Sequence, residues 1–272
     1  MITDYHVHLE TGPYTIEWLE KYVEVAIQRG ITDLGFSEHG YRFKQSKAIL
    51  YNPWIAERQT EDINEYVNLI LQAKEKGIDV KLGIELDFIP GKEKEIEDFL
   101  KPYPWDYVIG SVHWIDDWGF DLTEMREKWN QRSILKVYEE YFWRVERLLE
   151  SMQFDILGHV DVIKVFGHRP SEEEQEQLLA LYDRLVPLIQ QSGITVEMST
   201  AGLRKPVGEL YPAPLLMERL TKAQVPMMIN SDAHRPEHVG EDYDKGIDYL
   251  RSYGVNEVSI FEQRKRKMVP LG

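Results

Sequence analysis

Along nearly the whole chain, strand-like segments alternate with helix-like ones, and this alternation constrains the fold more than any other feature. Runs of β-branched, aromatic and apolar residues over 2–9, 31–37, 80–86, 105–112, 154–157, 194–196 and 225–229 read as strands. Helical spacing of apolar residues marks 15–30, 55–76, 133–151, 172–191 and 215–223. The first of these carries Ile16, Leu19, Tyr22, Val23, Ala26 and Ile27 and stops at Gly30, a usual place to end a helix. A closing helix and a short piece near 258–261 finish the chain. Such alternation implies βα units, a parallel sheet and right-handed crossovers. About seven units in one domain over 1–272 point to an α/β barrel related to the (β/α)8 fold, with an open doubly wound sheet as the alternative.

The ends of the strand-like segments carry the chemistry. Six of the eight histidines lie where a strand meets its following loop: His6, His8, His39, His113, His159 and His234. Glu85, Glu197 and Asp232 occupy the same kind of place. In a barrel those ends share one face, where catalytic groups gather. His6 and His8 are two apart on a strand and therefore point the same way. Asp4 would share their face and could orient an imidazole through its second ring nitrogen. The plainer reading of these two histidines alone is a hydrogen-bonded pair on a half-exposed strand. The chain has no cysteine, so a metal site must use His, Asp and Glu. His6, His8, His39, Glu85, His113, His159, Asp232 and His234 are more donors than one ion takes. Two or three ions follow from that excess, bridged by Glu85 or Asp232, if the strand ends converge.

Charge excludes some partners. A formal net charge of -15 argues against general binding to nucleic acid or to an anionic membrane. No apolar run approaches the roughly 20 residues that span a bilayer. No basic-then-apolar leader precedes the first strand, and a reducing, cytoplasmic compartment fits the lack of cysteine. Arg264, Lys265, Arg266 and Lys267 read as a solvated tail.

Arg169 and Arg204 fall in loops after strands, where an arginine fork suits bidentate phosphate binding and a surface ion pair is the alternative. Arg42, Lys205 and Arg235 are weaker candidates for the same role. Asp161, two residues after His159, either protonates a leaving alkoxide or makes a supporting hydrogen bond. Trp114 and the residues after it form either a lid over the site or a surface loop with a packed tryptophan. Glu197 is a ligand, a group behind a ligand, or a reader of the substrate's cationic end. Glu38, beside His39, points away or orients a neighbour, and His168 and His238 lack a strand-end position.

The strings DYHVHLE, SEHG, GIELDF, GSVHWI, GHVDVIKVFGHR, TAGLRKP with YPAP, and NSDAHRPEHVG run from Asp4 to about Gly240. As an ordered set they resemble the polymerase-and-histidinol-phosphatase (PHP) superfamily, and within it the monofunctional histidinol-phosphate phosphatases. That resemblance implies a distorted (β/α)7 barrel with a trinuclear site of Zn, Mn or Fe at the C-terminal ends of its strands. It implies hydrolysis of L-histidinol phosphate in histidine biosynthesis, by in-line attack of a hydroxide bridging the metals, with Arg169 and Arg204 fixing the phosphate. One ion would be held by His6, His8, Glu85 and Asp232, a second by Glu85, His113 and His159, and the third by His39 and His234. Many relatives add a histidine after the first strand; here Glu10 is the nearest substitute. Another small phosphate or phosphotyrosine would suit the same ligands. A non-catalytic metal-binding module should have lost some of them.

Overall fold

Small residues on neighbouring strands decide how the middle of this protein fills. Gly35 and Gly83 face Tyr107, whose ring would collide with a Cβ at either position. The phenol passes over both and donates to the carbonyls of Tyr5 (2.6 Å) and Phe36 (3.0 Å), tying three strands together. The computed structural model describes all residues, Met1–Gly272.

Strand β1 (Thr3–Asp4) leads through helix α1 (Ile16–Gln28) to β2 (Asp33–His39). Helix α1 is capped by the Thr15 hydroxyl, which accepts from the Trp18 amide, and it buries Leu19, Tyr22 and Ala26. Helices α2 (Pro53–Ala56) and α3 (Ile63–Glu75) precede β3 (Val80–Asp87). The single helix expected over 55–76 is therefore two. Asp62 restarts it by accepting from the Asn64 amide at 2.9 Å. A short α4 (Glu93–Leu100), not anticipated from periodicity, leads to β4 (Tyr107–Ser111). A small antiparallel hairpin of β5 (Trp114–Ile115) and β6 (Trp118–Gly119) follows. Then come α5 (Ile134–Ser151), β7 (Ile156–Leu157), α6 (Gln175–Ser192), β8 (Thr195–Ser199), α7 (Pro214–Lys222), β9 (Met227–Asn230) and α8 (Tyr243–Ser252).

Seven strands form one parallel sheet in the order β1-β2-β3-β4-β7-β8-β9. Its two edges meet where Val7 bridges Ala233: His8 N–H donates to the Ala233 carbonyl (2.8 Å), and Ala233 N–H to that of His6 (2.9 Å). The sheet is thus a nearly closed barrel, and the open doubly wound alternative is excluded. No helix is long and apolar enough to cross a membrane.

The chain ends in an antiparallel hairpin, β10 (Glu257–Glu262) and β11 (Lys265–Pro270). The basic residues expected as a solvated tail are part of it. Arg264 pairs with Asp155 (2.8 Å) and Arg266 donates to the Gly193 carbonyl (2.5 Å), because both meet acceptors at the strands' N-terminal ends. Phe261 packs with Tyr5, Tyr107, Ile109, Ile156 and Met228, filling that end of the barrel. Phe261→Ala is expected to cost about 3–5 kcal/mol in denaturant unfolding and to leave metal content unchanged.

Candidate metal centre

Alternation along each strand carries one face inward, and the inward face turns from apolar to ligating toward the C-terminal ends. On β3, Gly83 is followed two residues later by Glu85; on β4, Ile109 and Ser111 lead to His113. His39 ends β2, His159 follows β7, and Asp232 and His234 follow β9. These strand ends do converge. Around the Glu85 carboxylate stand His39 Nδ1 at 2.7 Å, His159 Nε2 at 3.2 Å, His6 Nε2 at 3.3 Å, His113 Nε2 at 3.6 Å and His8 Nε2 at 3.7 Å. Asp232 Oδ1 lies 3.2 Å from His234 Nε2, 3.4 Å from His8 Nε2 and 3.6 Å from His6 Nε2.

The donor set fits divalent cations. Both oxygens of the buried Glu85, Nε2 of His6 and both ring nitrogens of His8 lack a hydrogen-bond partner. Buried polar atoms are otherwise nearly always paired, and a buried charge without a partner is costly. A cation among them would pair both Glu85 oxygens and the Nε2 atoms of His6 and His8; His8 Nδ1 faces Glu38 at 3.7 Å instead. Donor atoms lie within 4.8 Å of one another in three groups: His6, His8 and Asp232; His6, Glu85 and His159; His8, His39 and His234. Asp232 adopts a left-handed backbone (φ 50°), a strain of about 1–3 kcal/mol of the kind found at functional sites.

Without a cation, protons stand in for it. Burial favours neutral His6, but Glu197, Glu85 and Asp232 outweigh it and raise its pKa well above the usual value. Burial likewise opposes charge on His113, yet Asp87 and Glu85 lift it to about 10. Burial would raise the pKa of Glu85, but His6, His113 and His39 hold it well below the ordinary range. Metal loading must displace such protons.

A ring of carboxylates stands behind the imidazoles and sets which nitrogen faces inward. Glu197, left open between a ligand, a group behind a ligand and a substrate reader, is fully buried and off the cavity, behind His6. It pairs with His6 Nδ1 (2.7 Å) and accepts from the His159 amide (3.0 Å) and the Asn230 side chain (2.8 Å). Glu10, expected as a ligand, stands 2.7 Å from His234 Nδ1, the position of an orienting group. Asp87 does the same for His113 at 2.8 Å. Glu38 accepts from the amides of Leu9 and His39, both at 3.0 Å, and fixes the loops that carry His8 and His39. Asp87 was legible in principle, sharing a face with Glu85; Asn230 carried no comparable signal. Asp4 turns away from the histidines to accept from Ser231 and Gly240, because the ladder is interrupted at Tyr5 and His6 and alternation does not carry through.

A cavity of about 370 Å³ opens onto His39, His113, His159, Asp232 and His234. Trp114 lines it, joined by Tyr41 and Trp54. Other expected contacts are engaged elsewhere. Arg169 pairs with Glu209 at 2.6 Å, and Arg42 is held by Glu61 and Glu10. Asp161 is buried against Lys164 (2.9 Å) and the Ala213 amide (2.7 Å), so it faces no leaving group. Arg204 donates to the carbonyls of Ser231 (2.5 Å) and Asp232 (3.1 Å), bracing the strained turn. None of these four lines the cavity. Arg204→Ala is therefore expected to weaken metal affinity by about 10–100-fold, as loss of a supporting contact does. Competition against a chelating indicator would read this, and affinity equal to the parent's would refute the bracing role.

The PHP domain family matches residues 4–201. The chain is 33% identical over 272 residues to a probable histidinol-phosphatase of Deinococcus radiodurans, covering 99% of each chain. It is 24% identical over 258 residues to the histidinol-phosphatase of Bacillus subtilis, covering 89% of this chain and 96% of that one. Histidinol phosphate phosphatase of Lactococcus lactis, solved in complex with zinc, L-histidinol and phosphate, shares the fold. Its TM-score is 0.77 at 20% identity, over 98% of both chains.

Proposed function

This chain belongs to the PHP domain family, and from that membership we propose that it is a metal-dependent histidinol-phosphatase, hydrolysing L-histidinol phosphate to L-histidinol and phosphate. The observation that carries the reading is the convergence of imidazoles on a buried carboxylate with no hydrogen bond of its own, at the floor of a substrate-sized cavity. The substrate carries an anion at one end and a cationic amine and imidazole at the other. The cluster suits the anion. Glu10, Asp121 and Glu124 on the cavity wall suit the cation, and Tyr41, Trp54 and Trp114 suit the ring.

We infer up to three divalent ions. His6, His8, Glu85 and Asp232 would hold one, Glu85, His113 and His159 a second, and His39 and His234, with His8 beside them, the third. The close donor groups His6/His8/Asp232, His6/Glu85/His159 and His8/His39/His234 support this in part, and His113 Nε2 stands 3.6 Å from Glu85 and 3.2 Å from His159 Nε2. When bound, such ions lower the pKa of a coordinated water and stabilise charge on phosphoryl oxygens. The chain's own contribution is to hold the donors still. Glu197, Asp87 and Glu10 fix the tautomer and ring orientation of His6, His113 and His234. Glu85 offers one oxygen toward His6, His113 and His159 and the other toward His8 and His39.

Phosphate release by metal-reconstituted protein from L-histidinol phosphate, phosphotyrosine and small sugar phosphates tests the assignment. L-Histidinol phosphate should lead in kcat/KM by about 10²-fold or more, since a site built to pair polar groups rejects analogues lacking them. Equal rates across the panel would sink the substrate assignment while leaving a phosphomonoesterase.

A further inference from the structure

The last joint of the barrel is made differently from the others. Strand β1 shares a ladder with β2 for only two rungs, Thr3 with Asp33 and Asp4 with Leu34, and β9 pairs with β8. Across the closing seam the two backbones pair at Val7 and Ala233, beyond both strands. Before that bridge, side chains stitch the seam. The Thr3 hydroxyl donates to the Ile229 carbonyl (3.3 Å), Asp4 accepts from the Ser231 amide (2.9 Å), and the Tyr243 phenol donates to the Thr3 carbonyl (2.9 Å).

One stitch reaches the ligand cluster. Asn230 ends β9 on the face it shares with Met228, which is inward. Its Oδ1 accepts from the Tyr5 amide at 2.8 Å, and its Nδ2 donates to Glu197 Oε2 at 2.8 Å. A backbone N–H only donates and a carboxylate only accepts, so the two partners fix which way the carboxamide points. The same Glu197 oxygen stands 2.7 Å from His6 Nδ1. Tyr5, His6, Glu197 and Asn230 are all fully buried, where such bonds are strong and their loss is costly.

A carboxamide is a peptide group carried on a side chain. Asn230 thus supplies the rung that β9 lacks toward Tyr5, and through Glu197 it holds the side chain of the next residue, His6. That imidazole presents Nε2 to Glu85 at 3.3 Å and to Asp232 at 3.6 Å. Ionised aspartate has the acceptor without the donor, and serine has one group where two are needed.

We propose that Asn230 is a positioning residue: by docking the Tyr5 backbone and the Glu197 carboxylate together, it sets the orientation in which His6 offers Nε2 to a divalent ion. Closure of the barrel and alignment of His6 then become one event. The assignment rests on the metal-centre reading but on no particular substrate.

The test reloads metal-stripped, full-length protein with Co²⁺ and compares the parent with Asn230→Asp, Asn230→Leu and Tyr243→Phe. Affinity is read by competition against a chelating indicator, and ligand geometry by the cobalt absorption bands. Asn230→Asp matches the parent in size and still accepts from Tyr5, but turns an oxygen toward Glu197 where a donor stood. The ion held with His6 should bind about 10–100-fold more weakly, and the cobalt bands should shift. Excess free metal should restore turnover toward the parent's, as fits a misaligned ligand. Asn230→Leu removes both bonds and should weaken binding at least as much; if it fails to fold, Asn230→Asp carries the test. Tyr243→Phe removes a different stitch of the same seam, so Tm should fall while cobalt affinity and bands stay with the parent's. Affinity and bands in Asn230→Asp equal to the parent's would overturn the proposal. So would an equal weakening in Tyr243→Phe, which makes the effect one of seam stability. A parent that binds no Co²⁺ would remove the metal-centre reading, and this proposal with it.

Discussion

Glu85→Gln is expected to lose bound metal and phosphate release together. Imidazoles at the end of β2 and just after β1, β4 and β7 surround this carboxylate within 2.7–3.7 Å, and neither oxygen is otherwise paired. Glutamine keeps the volume but removes the negative charge, and its nitrogen presents protons where a second ligating oxygen stood. One change therefore disturbs every donor group that Glu85 joins. Activity should fall by at least about 10³-fold, because a single lost oxyanion donor already costs about 10²–10³, and here the stabilising charge itself departs. Elemental analysis should show fewer ions per chain than in the parent. A variant with full metal content and near-parent turnover would place Glu85 outside the centre.

Chelation supplies the second large effect and separates folding from chemistry. Stripping the parent with a strong chelator should abolish hydrolysis and lower the Tm, and adding back a divalent metal should restore both. Ions that bind only the folded chain stabilise it by about 4 kcal/mol at a free concentration 1,000 times Kd. The drop in Tm should therefore be several degrees in a chain of this size. Glu85→Gln should show little further change on chelation, since it begins depleted. Hydrolysis that survives complete stripping would remove the metal-dependent reading, whatever the fate of the Tm.

The outer frame of this protein was legible along the chain. Period-2 and period-3.6 patterns are local, so the order of strands and helices, the parallel barrel and the gathering of six histidines at one end could be read from neighbours alone. Even the pairing of His6 with His8 on one face needed only the alternation of a strand. The division of labour among the polar groups needed the folded structure. Strand β8 continues to Ser199, which puts Glu197 inside the barrel, behind His6, where a strand ending at that residue would have left it on the cavity. Arg169, Arg204 and Arg42 are long, flexible side chains, and the acceptors that claim them, Glu209, Ser231 and Glu61, come from loops and turns elsewhere in the chain. The basic run at Arg264 became a hairpin because Asp155 and Gly193 wait at the other mouth of the barrel. The sequence alone determined that six histidines, Glu85 and Asp232 gather at one end, because backbone periodicity places strand-end side chains within a few residues. Which of them ligate, which orient a ligand and which merely brace a turn was decided only by tertiary packing, since each such role depends on a partner supplied by a different strand or loop.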